Sequence, residues 1–141
     1  MSVNPLNLLS KKNNNLGLWM ELNVYGCRFL LTGDMEKEAE RLVSKKITPP
    51  FHVLKVAHHG SLTSSEREFL IRVLPAFSVI SVGAENSYGH PKFQILERLR
   101  YFRSQILRTD FHGFISFKVS PSGKLTCTHS LGFCGEIQCG L

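Results

Sequence analysis

The sequence predicts an α/β protein in which strands and helices are layered into a sandwich. Short apolar runs alternate along the chain with amphipathic segments whose apolar residues recur at helical spacing. Turn signals rich in glycine, proline and asparagine separate these segments. The predicted element order is ββαβαβαβββ, and nothing in the sequence indicates an internal domain boundary.

The composition is that of a globular protein, with 43% hydrophobic and 20% charged residues among 141. No apolar run approaches the ~20 residues of a transmembrane helix. Residues 1–15 form a polar lead-in without the apolar core of a signal peptide. The net charge of +6 is compatible with a solvated basic surface or with a phosphate-rich partner such as DNA.

The first elements are a hairpin and a helix. Leu18 to Tyr25 is predicted as a strand, Gly26-Cys27 as a turn, and Arg28 to Leu31 as the returning strand. Met35 to Lys46 is predicted as a helix, for which Asp34 is a candidate N-cap.

The central elements are two further strand–helix units. Phe51 to Ala57 and Ala76 to Val82 are predicted strands. Thr63 to Glu66 matches a capping box, which predicts a helix start. Pro91 matches a proline in the first turn of the next helix. The predicted buried helix positions are Phe69, Leu70, Val73 and Leu74 in one helix, and Ile95, Leu96, Leu99 and Phe102 in the other.

Three short strands are predicted near the end of the chain, Gln105 to Arg108, Gly113 to Val119 and Lys124 to Thr128. Pro121 to Gly123 is predicted as the turn between the last two, and residues 129–141 as a tail of uncertain order. The cysteines contain no Cys-x-x-Cys pair, so we expect free thiols in a reducing compartment, with disulfides as the alternative. They are Cys27, Cys127, Cys134 and Cys139.

The candidate site residues each follow a predicted strand. Asp34, the pair His58-His59, and His90 come from different strand–loop–helix units, and the carboxyl ends of parallel strands meet at one sheet edge. The alternative to a site role is a helix cap for Asp34 and an ordinary loop residue for His90. Side chains of adjacent residues diverge, so one imidazole of the pair would face a metal while the other supports it or acts as acid or base. His52, His112 and His129 are predicted to be structural or exposed. Asp110 is predicted to be a turn residue, with a position near the site as the alternative.

These residue types suit a metal centre. A carboxylate can bridge two divalent cations, and neutral imidazoles bind zinc, manganese or iron. Two such cations can clamp a phosphoryl group and supply hydroxide. We therefore predict Asp34, His59 and His90 as metal ligands and His58 and His90 as catalytic groups, with zinc or manganese as the metal.

The ordered motifs resemble the C-terminal metallo-β-lactamase domain of ComEC-type competence proteins, which import DNA. The motifs are Phe29–Asp34, Val53–Ser61, Tyr88–Pro91, and Arg108–Asp110 with Gly113. The resemblance covers roughly residues 13–119, and the C-terminal half of such a domain is taken as residues 16–128. It implies part of an αββα sandwich with metal-dependent nuclease activity. It matches Asp34 to a metal-bridging aspartate, His58 or His59 to a histidine motif, and His90 to a late ligand or catalytic group.

The main metal motif of that superfamily, His-x-His-x-Asp-His, does not occur in this sequence. We therefore expect a fragment that holds metal weakly, with little hydrolase activity alone. Its expected partners are DNA, the missing N-terminal half or a membrane channel portion, and further copies of itself, since half a sandwich leaves sheet unpaired. Another hydrolase of this fold, acting on a phosphodiester, lactone or thioester, and a non-catalytic binding module are the alternatives. The protein would be bacterial, either a soluble fragment or a peripheral domain of an inner-membrane protein.

Overall fold

A computed structural model describes residues 2–6 and 18–140 of the chain. The strands are β1 (Ser2–Leu6), β2 (Trp19–Val24), β3 (Cys27–Leu31), β4 (Val53–Lys55), β5 (Phe77–Ile80), β6 (Gln105–Arg108), β7 (Ile115–Val119), β8 (Lys124–His129) and β9 (Gly132–Gln138). The helices are α1 (Lys37–Ser44), α2 (Arg67–Val73), α3 (Phe93–Tyr101) and α4 (Thr109–His112). A short 3₁₀ segment, Ala57–Gly60, follows β4 and is called the histidine turn below.

The strands form two sheets. One has six strands in the order β1-β2-β3-β4-β5-β6, and the other has three in the order β7-β8-β9. The pairs β1–β2 and β2–β3 are antiparallel, whereas β3, β4, β5 and β6 run parallel to one another. The loops after the parallel strands therefore leave the large sheet at the same edge.

Side-chain alternation along the strands gives the large sheet two buried faces. Leu30 and Leu54 belong to a core that also contains the apolar residues of α1, α2 and α3. Their neighbours Phe29 and Val53 face a second core, which the small sheet covers with Leu125 and other residues. The mixed α/β class predicted from the sequence is confirmed, with helices on one face of the large sheet and the small sheet on the other.

Most element positions match the prediction, but the helix starts differ. Helix α1 begins at Lys37 with Glu36 as its N-cap residue, so Asp34 does not cap it. Helix α3 begins at Phe93 with Lys92 as N-cap, so Pro91 precedes the helix instead of entering its first turn.

The predicted capping box does not form at α2. That helix begins at Arg67, and Glu66 at its N-cap position makes no side-chain capping bond. The N–H groups of Ser65 and Glu66 instead donate to the buried carboxylate of Glu40, at 2.5 and 2.9 Å. A contact from another helix thus replaces the local cap.

Helix burial follows the predicted faces except at the ends. Phe69, Leu70 and Val73 are buried in α2, as are Ile95, Leu96 and Leu99 in α3. Leu74 is 51% exposed because it is the C-cap residue, with a left-handed backbone that turns the chain away. Phe102, at the C-cap of α3, is partly buried against the same core.

The ends of the chain add two strands. Ser2–Leu6 in the lead-in pairs with β2, and β9 pairs with β8 in the segment whose order the sequence left open. The first hairpin turns at Tyr25-Gly26, so Cys27 is already the first residue of β3. The asparagine run at 13–15 lies outside the described residues.

The prediction of free thiols is wrong. Cys27 is bonded to Cys139 and Cys127 to Cys134, and these pairs account for all four cysteines. Strand pairing places Cys127 opposite Gly135, next to Cys134. The turn before β8 brings the other pair together, because the carbonyl of Gly123 accepts from the N–H of Cys139 and lies 3.4 Å from the sulfur of Cys27. Sequence spacing alone does not reveal such neighbours.

Within residues 2–6 and 18–140, no helix combines the length and apolar character needed to cross a membrane.

Candidate functional site

The candidate site lies at the edge where the parallel strands of the large sheet end. Asp34 follows β3, the histidine turn follows β4, and His90 lies in the loop after β5. His59 Nε2 is 3.7 Å from Asp34 Oδ1. The ring of His58 is centred 6.4 Å from that of His59 and 6.0 Å from that of His90. The structure therefore brings all four predicted site residues into one cluster.

The histidine turn has an unusual backbone. His58 and His59 both adopt left-handed conformations, with φ of 47° and 52°. Each left-handed residue with a Cβ costs roughly 1–2 kcal/mol relative to the right-handed form. At Gly60 a Cβ would lie 2.6 Å from the Cβ of Pro91, so only glycine fits there. The N–H of His58 donates to the carbonyl of Gly33 at 3.1 Å, which ties the turn to the loop that carries Asp34.

Hydrogen bonds orient the two imidazoles differently. His59 Nδ1 lies 2.6 Å from the carbonyl oxygen of Ser81, which can only accept, so Nδ1 carries the proton in that bond. The other nitrogen, Nε2, faces the carboxylate of Asp34 beyond hydrogen-bond length. His58 Nδ1 instead contacts the hydroxyl of Thr63 at 3.1 Å. Of the two histidines, His59 is therefore the one whose second ring nitrogen, Nε2, faces Asp34.

His90 is fixed by its own loop. Its N–H donates to Asn86 Oδ1 at 2.8 Å, and its carbonyl accepts from Asn86 Nδ2 at 2.8 Å. Tyr88 stacks on its ring, with centroids 6.0 Å apart and planes inclined by 14°. Burial lowers the pKa of His90, and the positive charge of Lys92 lowers it further. The imidazole is therefore neutral at pH 7, and its buried Nδ1 has no hydrogen-bond partner among the described residues.

The cluster opens into a cleft of about 480 Å³. Its lining includes His59, Ser81, Asn86, Tyr88, His90 and Thr109. Lys55 lies beneath the same edge, where its ammonium donates to the carbonyl of Gly33 at 3.1 Å. Burial lowers the pKa of Lys55, and the nearby carboxylate of Asp34 acts in the opposite direction. The cleft therefore combines two imidazoles with an aromatic ring, and the carboxylate of Asp34 lies 3.7 Å from one of them, His59.

The cluster does not form a complete metal site. Among residues 2–6 and 18–140, no group of three or more His, Cys, Asp or Glu side chains is placed to hold a metal ion. Asp34 with His59 makes one pair of donors, and the unpartnered nitrogen of His90 is a separate one. The donors are of the right chemical kind for zinc or manganese, but their number and placement do not fit a closed centre.

The other predicted residues lie outside the cluster. His52 Nδ1 accepts from the N–H of Arg28 at 2.9 Å, and the His112 and His129 rings pack together with centroids 4.8 Å apart. Asp110 accepts from Arg108 Nε at 2.9 Å and is held in the turn of α4.

The sequence patterns did not identify Tyr88 or Asn86 as site residues. Tyr88 lies in the Tyr-Gly-His-Pro run that predicted His90, but whether its ring faces the site depends on the loop conformation. Asn86 precedes His90 by four residues, and its amide closes the loop through bonds to both Gly83 and His90. Asparagine in a polar loop was the available signal for this role.

Fold and site together define an α/β domain with a histidine and carboxylate cluster at the carboxyl ends of its parallel strands. No protein-family model matches the chain. It is 41% identical to ComE operon protein 3 of Bacillus subtilis over 111 residues, which are 77% of this chain and 14% of that protein. It is 36% identical to competence protein ComA of Neisseria gonorrhoeae over 100 residues, 70% of this chain and 14% of that protein.

A third relative is Recombination protein 2 of Haemophilus influenzae, 30% identical over 111 residues, which are 79% of this chain and 14% of that protein. The chain is therefore related to competence proteins of the ComEC type. It spans about one seventh of the length of these relatives, 14% in each case.

Proposed function

We propose that this chain is part of the metal-dependent, nuclease-like hydrolase of a DNA-uptake competence protein and supplies one wall of its metal site. The observation that carries the proposal is the convergence of Asp34, His59 and His90 at one sheet edge in a relative of competence proteins. The arrangement of helices, large sheet and small sheet is compatible with the second half of a metallo-β-lactamase sandwich.

The residues have separate roles in this proposal. Asp34 and His59 present an oxygen and a nitrogen to the same space, and the bond to Ser81 fixes the orientation of His59. His90, neutral at pH 7, can accept a proton. A divalent cation such as zinc or manganese would supply hydroxide and bind phosphate oxygens. Its remaining ligands are to be sought in the part of the relatives that this chain does not span.

A second candidate is a DNA-binding module without catalysis. Two observations favour it: the described residues lack a group of three metal-ligating side chains, and the chain carries a net charge of +6. A basic surface binds the phosphate backbone without metal, and such binding weakens steeply with salt.

The two candidates differ in their response to manganese. Binding of labelled single-stranded DNA to the 141-residue chain would be followed by fluorescence anisotropy over a salt series, and cleavage by denaturing gels. If the hydrolase proposal holds, Mn²⁺ strengthens binding or supports slow cleavage, and the double variant D34N/H59A loses that effect. The matched control E97Q, at an exposed ion pair on α3, retains it.

Salt-sensitive binding that ignores both Mn²⁺ and D34N/H59A would favour the binding module over the hydrolase. No binding of DNA at low salt, with or without Mn²⁺, would overturn both candidates.

A further inference from the structure

A second groove lies on the helical side of the fold and is called the arginine groove below. Its volume is about 510 Å³, and it is formed by the start of α2 and the last turns of α3. Of the described residues, none lines both this groove and the cleft beside the histidine and carboxylate cluster. The arginine groove is lined by Arg67, Glu97, Arg98, Arg100, Tyr101 and Phe102. With three arginines and one glutamate, it carries a net positive charge that the proposed hydrolase chemistry does not use.

Two of the guanidinium groups are held by contacts with neighbouring residues. That of Arg67 lies over the ring of Tyr101, with its central carbon 4.3 Å from the ring centre. That of Arg98 donates through Nη1 to the carbonyl of Ser65 at 3.2 Å. A guanidinium has five N–H donors in a planar fork, so both side chains keep donors for a further acceptor. Groups that are already positioned lose little conformational entropy when a ligand binds.

The third guanidinium forms an exposed ion pair. Arg100 Nη1 donates to a carboxylate oxygen of Glu97 at 2.6 Å, and the two side chains are 58% and 52% exposed. Ion pairs at such exposure contribute little to stability, since water screens both charges. Arg100 can therefore exchange this carboxylate for another anion at small cost, whereas the charge of Glu97 opposes anion binding.

This combination of groups favours phosphate as the ligand. A guanidinium group can bind two phosphate oxygens at once through parallel N–H bonds. Three such groups along one groove suit a chain of successive phosphates, because each phosphate carries its own negative charge. An anionic membrane surface is flat and does not enter a groove, so a polyphosphate chain is the better fit.

Helix α3 links the arginine groove to the cluster. Its N-cap residue is Lys92, two residues after His90, and Arg100 lies in its last turn. The helical rise from Lys92 to Arg100 is roughly 12 Å. Phosphates of one DNA strand follow one another at about 3.4 Å along a duplex axis, so this distance corresponds to about three to four nucleotides. A DNA chain held at the cluster therefore has phosphates within reach of the groove.

We propose that the arginine groove is a metal-independent anchor for the DNA backbone, which holds phosphates about three to four nucleotides from the cluster. The inference rests on the proposed function, which makes DNA the ligand, and it adds a contact surface outside the cleft. Because the guanidinium groups contact phosphates and not bases, the anchor contributes affinity without sequence preference.

The test is the salt dependence of DNA binding. For a single strand, the logarithm of the association constant falls against the logarithm of the salt concentration with a slope of about −0.7 per phosphate contacted. R67Q/R100Q removes two cations of the groove. We therefore expect its slope for labelled single-stranded DNA to be shallower than that of wild type by about 1.4, with or without Mn²⁺. R67K/R100K keeps both charges and should retain most of the wild-type slope.

The matched control is K118Q/K124Q, which removes two exposed cations from the small sheet, on the other side of the large sheet. Both glutamine double variants lower the net charge of +6 by two. Each also breaks one exposed ion pair, which in the control is that of Lys124 with Glu136. The control should keep the wild-type slope. All four substituted side chains are exposed, so core packing is retained, and circular dichroism would verify that each variant is folded.

Removal of the acidic group tests the opposite direction. E97Q releases Arg100 from its ion pair, so it should strengthen DNA binding at low salt and steepen the slope by up to about 0.7. Its response to Mn²⁺ should remain that of wild type, because Glu97 lies in the arginine groove and not in the cleft.

The outcomes separate the anchor from the proposed function. Equal slopes in wild type and R67Q/R100Q, or an equal loss of slope in R67Q/R100Q and K118Q/K124Q, would overturn the anchor while leaving the proposed function intact. Binding to phosphatidylglycerol vesicles that R67Q/R100Q abolishes, with DNA binding unchanged, would assign the groove to a membrane surface and overturn the anchor as well. No binding of DNA by wild type at low salt would overturn the proposed function and the anchor with it.

Discussion

Glu40 is a carboxylic acid that is fully buried between α1 and the start of α2. It accepts hydrogen bonds from the N–H groups of Ser65 and Glu66, which lowers its pKa, but burial is the larger effect and raises the pKa from 4.5 to about 7. The charge of Glu66 raises it further, and that of Arg98 lowers it. Glu40 therefore takes up a proton within the physiological pH range.

This pKa predicts how stability depends on pH. Between pH 4.5 and about 7 the folded protein holds a proton on Glu40 that the unfolded chain releases, so this residue's contribution to stability falls as pH rises through that window. The rise in pKa from 4.5 to about 7 corresponds to about 3 kcal/mol. We expect E40Q, which cannot titrate, to lack this part of the pH dependence in urea unfolding measured from pH 4.5 to 8.

The control for this prediction is E97Q, since Glu97 is exposed and forms an ion pair with Arg100 on the same helix. Its unfolding free energy should follow the wild-type curve. A difference between wild type and E40Q that is constant over the whole pH range would contradict the assignment.

The site residues were predictable from the sequence, but the orientation of their side chains was not. The pair His58-His59 followed by Gly60 indicates a site because of its position after an apolar strand. Which imidazole faces Asp34 depends on the carbonyl of Ser81, a residue on a different strand–loop unit. The carboxylate that accepts from the N–H groups of Ser65 and Glu66 belongs to Glu40, which is likewise distant in sequence. The local sequence pattern therefore predicted a cap that does not form.

Among the elements, β9 is the one that both disulfide bonds hold in place. Cys139 after β9 is bonded to Cys27 at the start of β3, and Cys134 within β9 is bonded to Cys127 in β8. The sequence separations are 112 and 7 residues. In the chain-entropy description, closing the longer loop stabilises the fold by about 5 kcal/mol and the shorter one by about 2 kcal/mol.

We therefore expect C27S/C139S to lower the unfolding free energy more than C127S/C134S, by roughly 2 kcal/mol or more. Urea denaturation of both double variants measures this directly, and amide hydrogen exchange would show whether β9 loosens in each. Detection of four free thiols in the native, unreduced protein would contradict the pairing itself.

Strands with strong patterns were predictable, and weak ones were not. Strand Phe77–Ile80 lies within a predicted strand, and Gln105–Arg108 matches one. Apolar and β-branched residues made both strands recognisable. Strand β9 carries Gly132 and Gly135, residues with low strand propensity, and forms because β8 offers a partner. The short helix α4 was missed because its four residues give too little periodicity to detect.

For the molecule as a whole, the order of strands and helices along the chain was the most useful prediction. Parallel strands linked by helices bring their carboxyl ends together, so residues from three separate units were expected to meet, and they do. The residue patterns alone did not predict that the last strands form a separate small sheet over the second face, although the resemblance implied part of an αββα sandwich. Its outer surface carries the exposed charged residues Lys118, Lys124 and Glu136, together with the exposed ring of Phe133, which lies opposite Thr128.

The incomplete ligand set leads to a prediction about metal affinity. The described residues offer no group of three ligating side chains, so we expect the chain alone to bind Zn²⁺ or Mn²⁺ with dissociation constants above the micromolar range. Isothermal titration calorimetry measures this, and H59A should weaken the residual binding further, whereas H129A, outside the cluster, should not. Submicromolar affinity with one or two ions per chain would show that the site is complete without additional polypeptide.

The two left-handed residues of the histidine turn cost stability, whereas the proposed metal site requires their imidazoles. Glycine would adopt the backbone of His58 and His59 without a Cβ penalty, and asparagine tolerates it better than most residues. Selection for a stable fold alone would therefore move both positions away from histidine. Stabilising substitutions chosen only by backbone preference would therefore replace His58 and His59 early. The resulting protein would be more stable but would lack both imidazoles at the edge of the cleft.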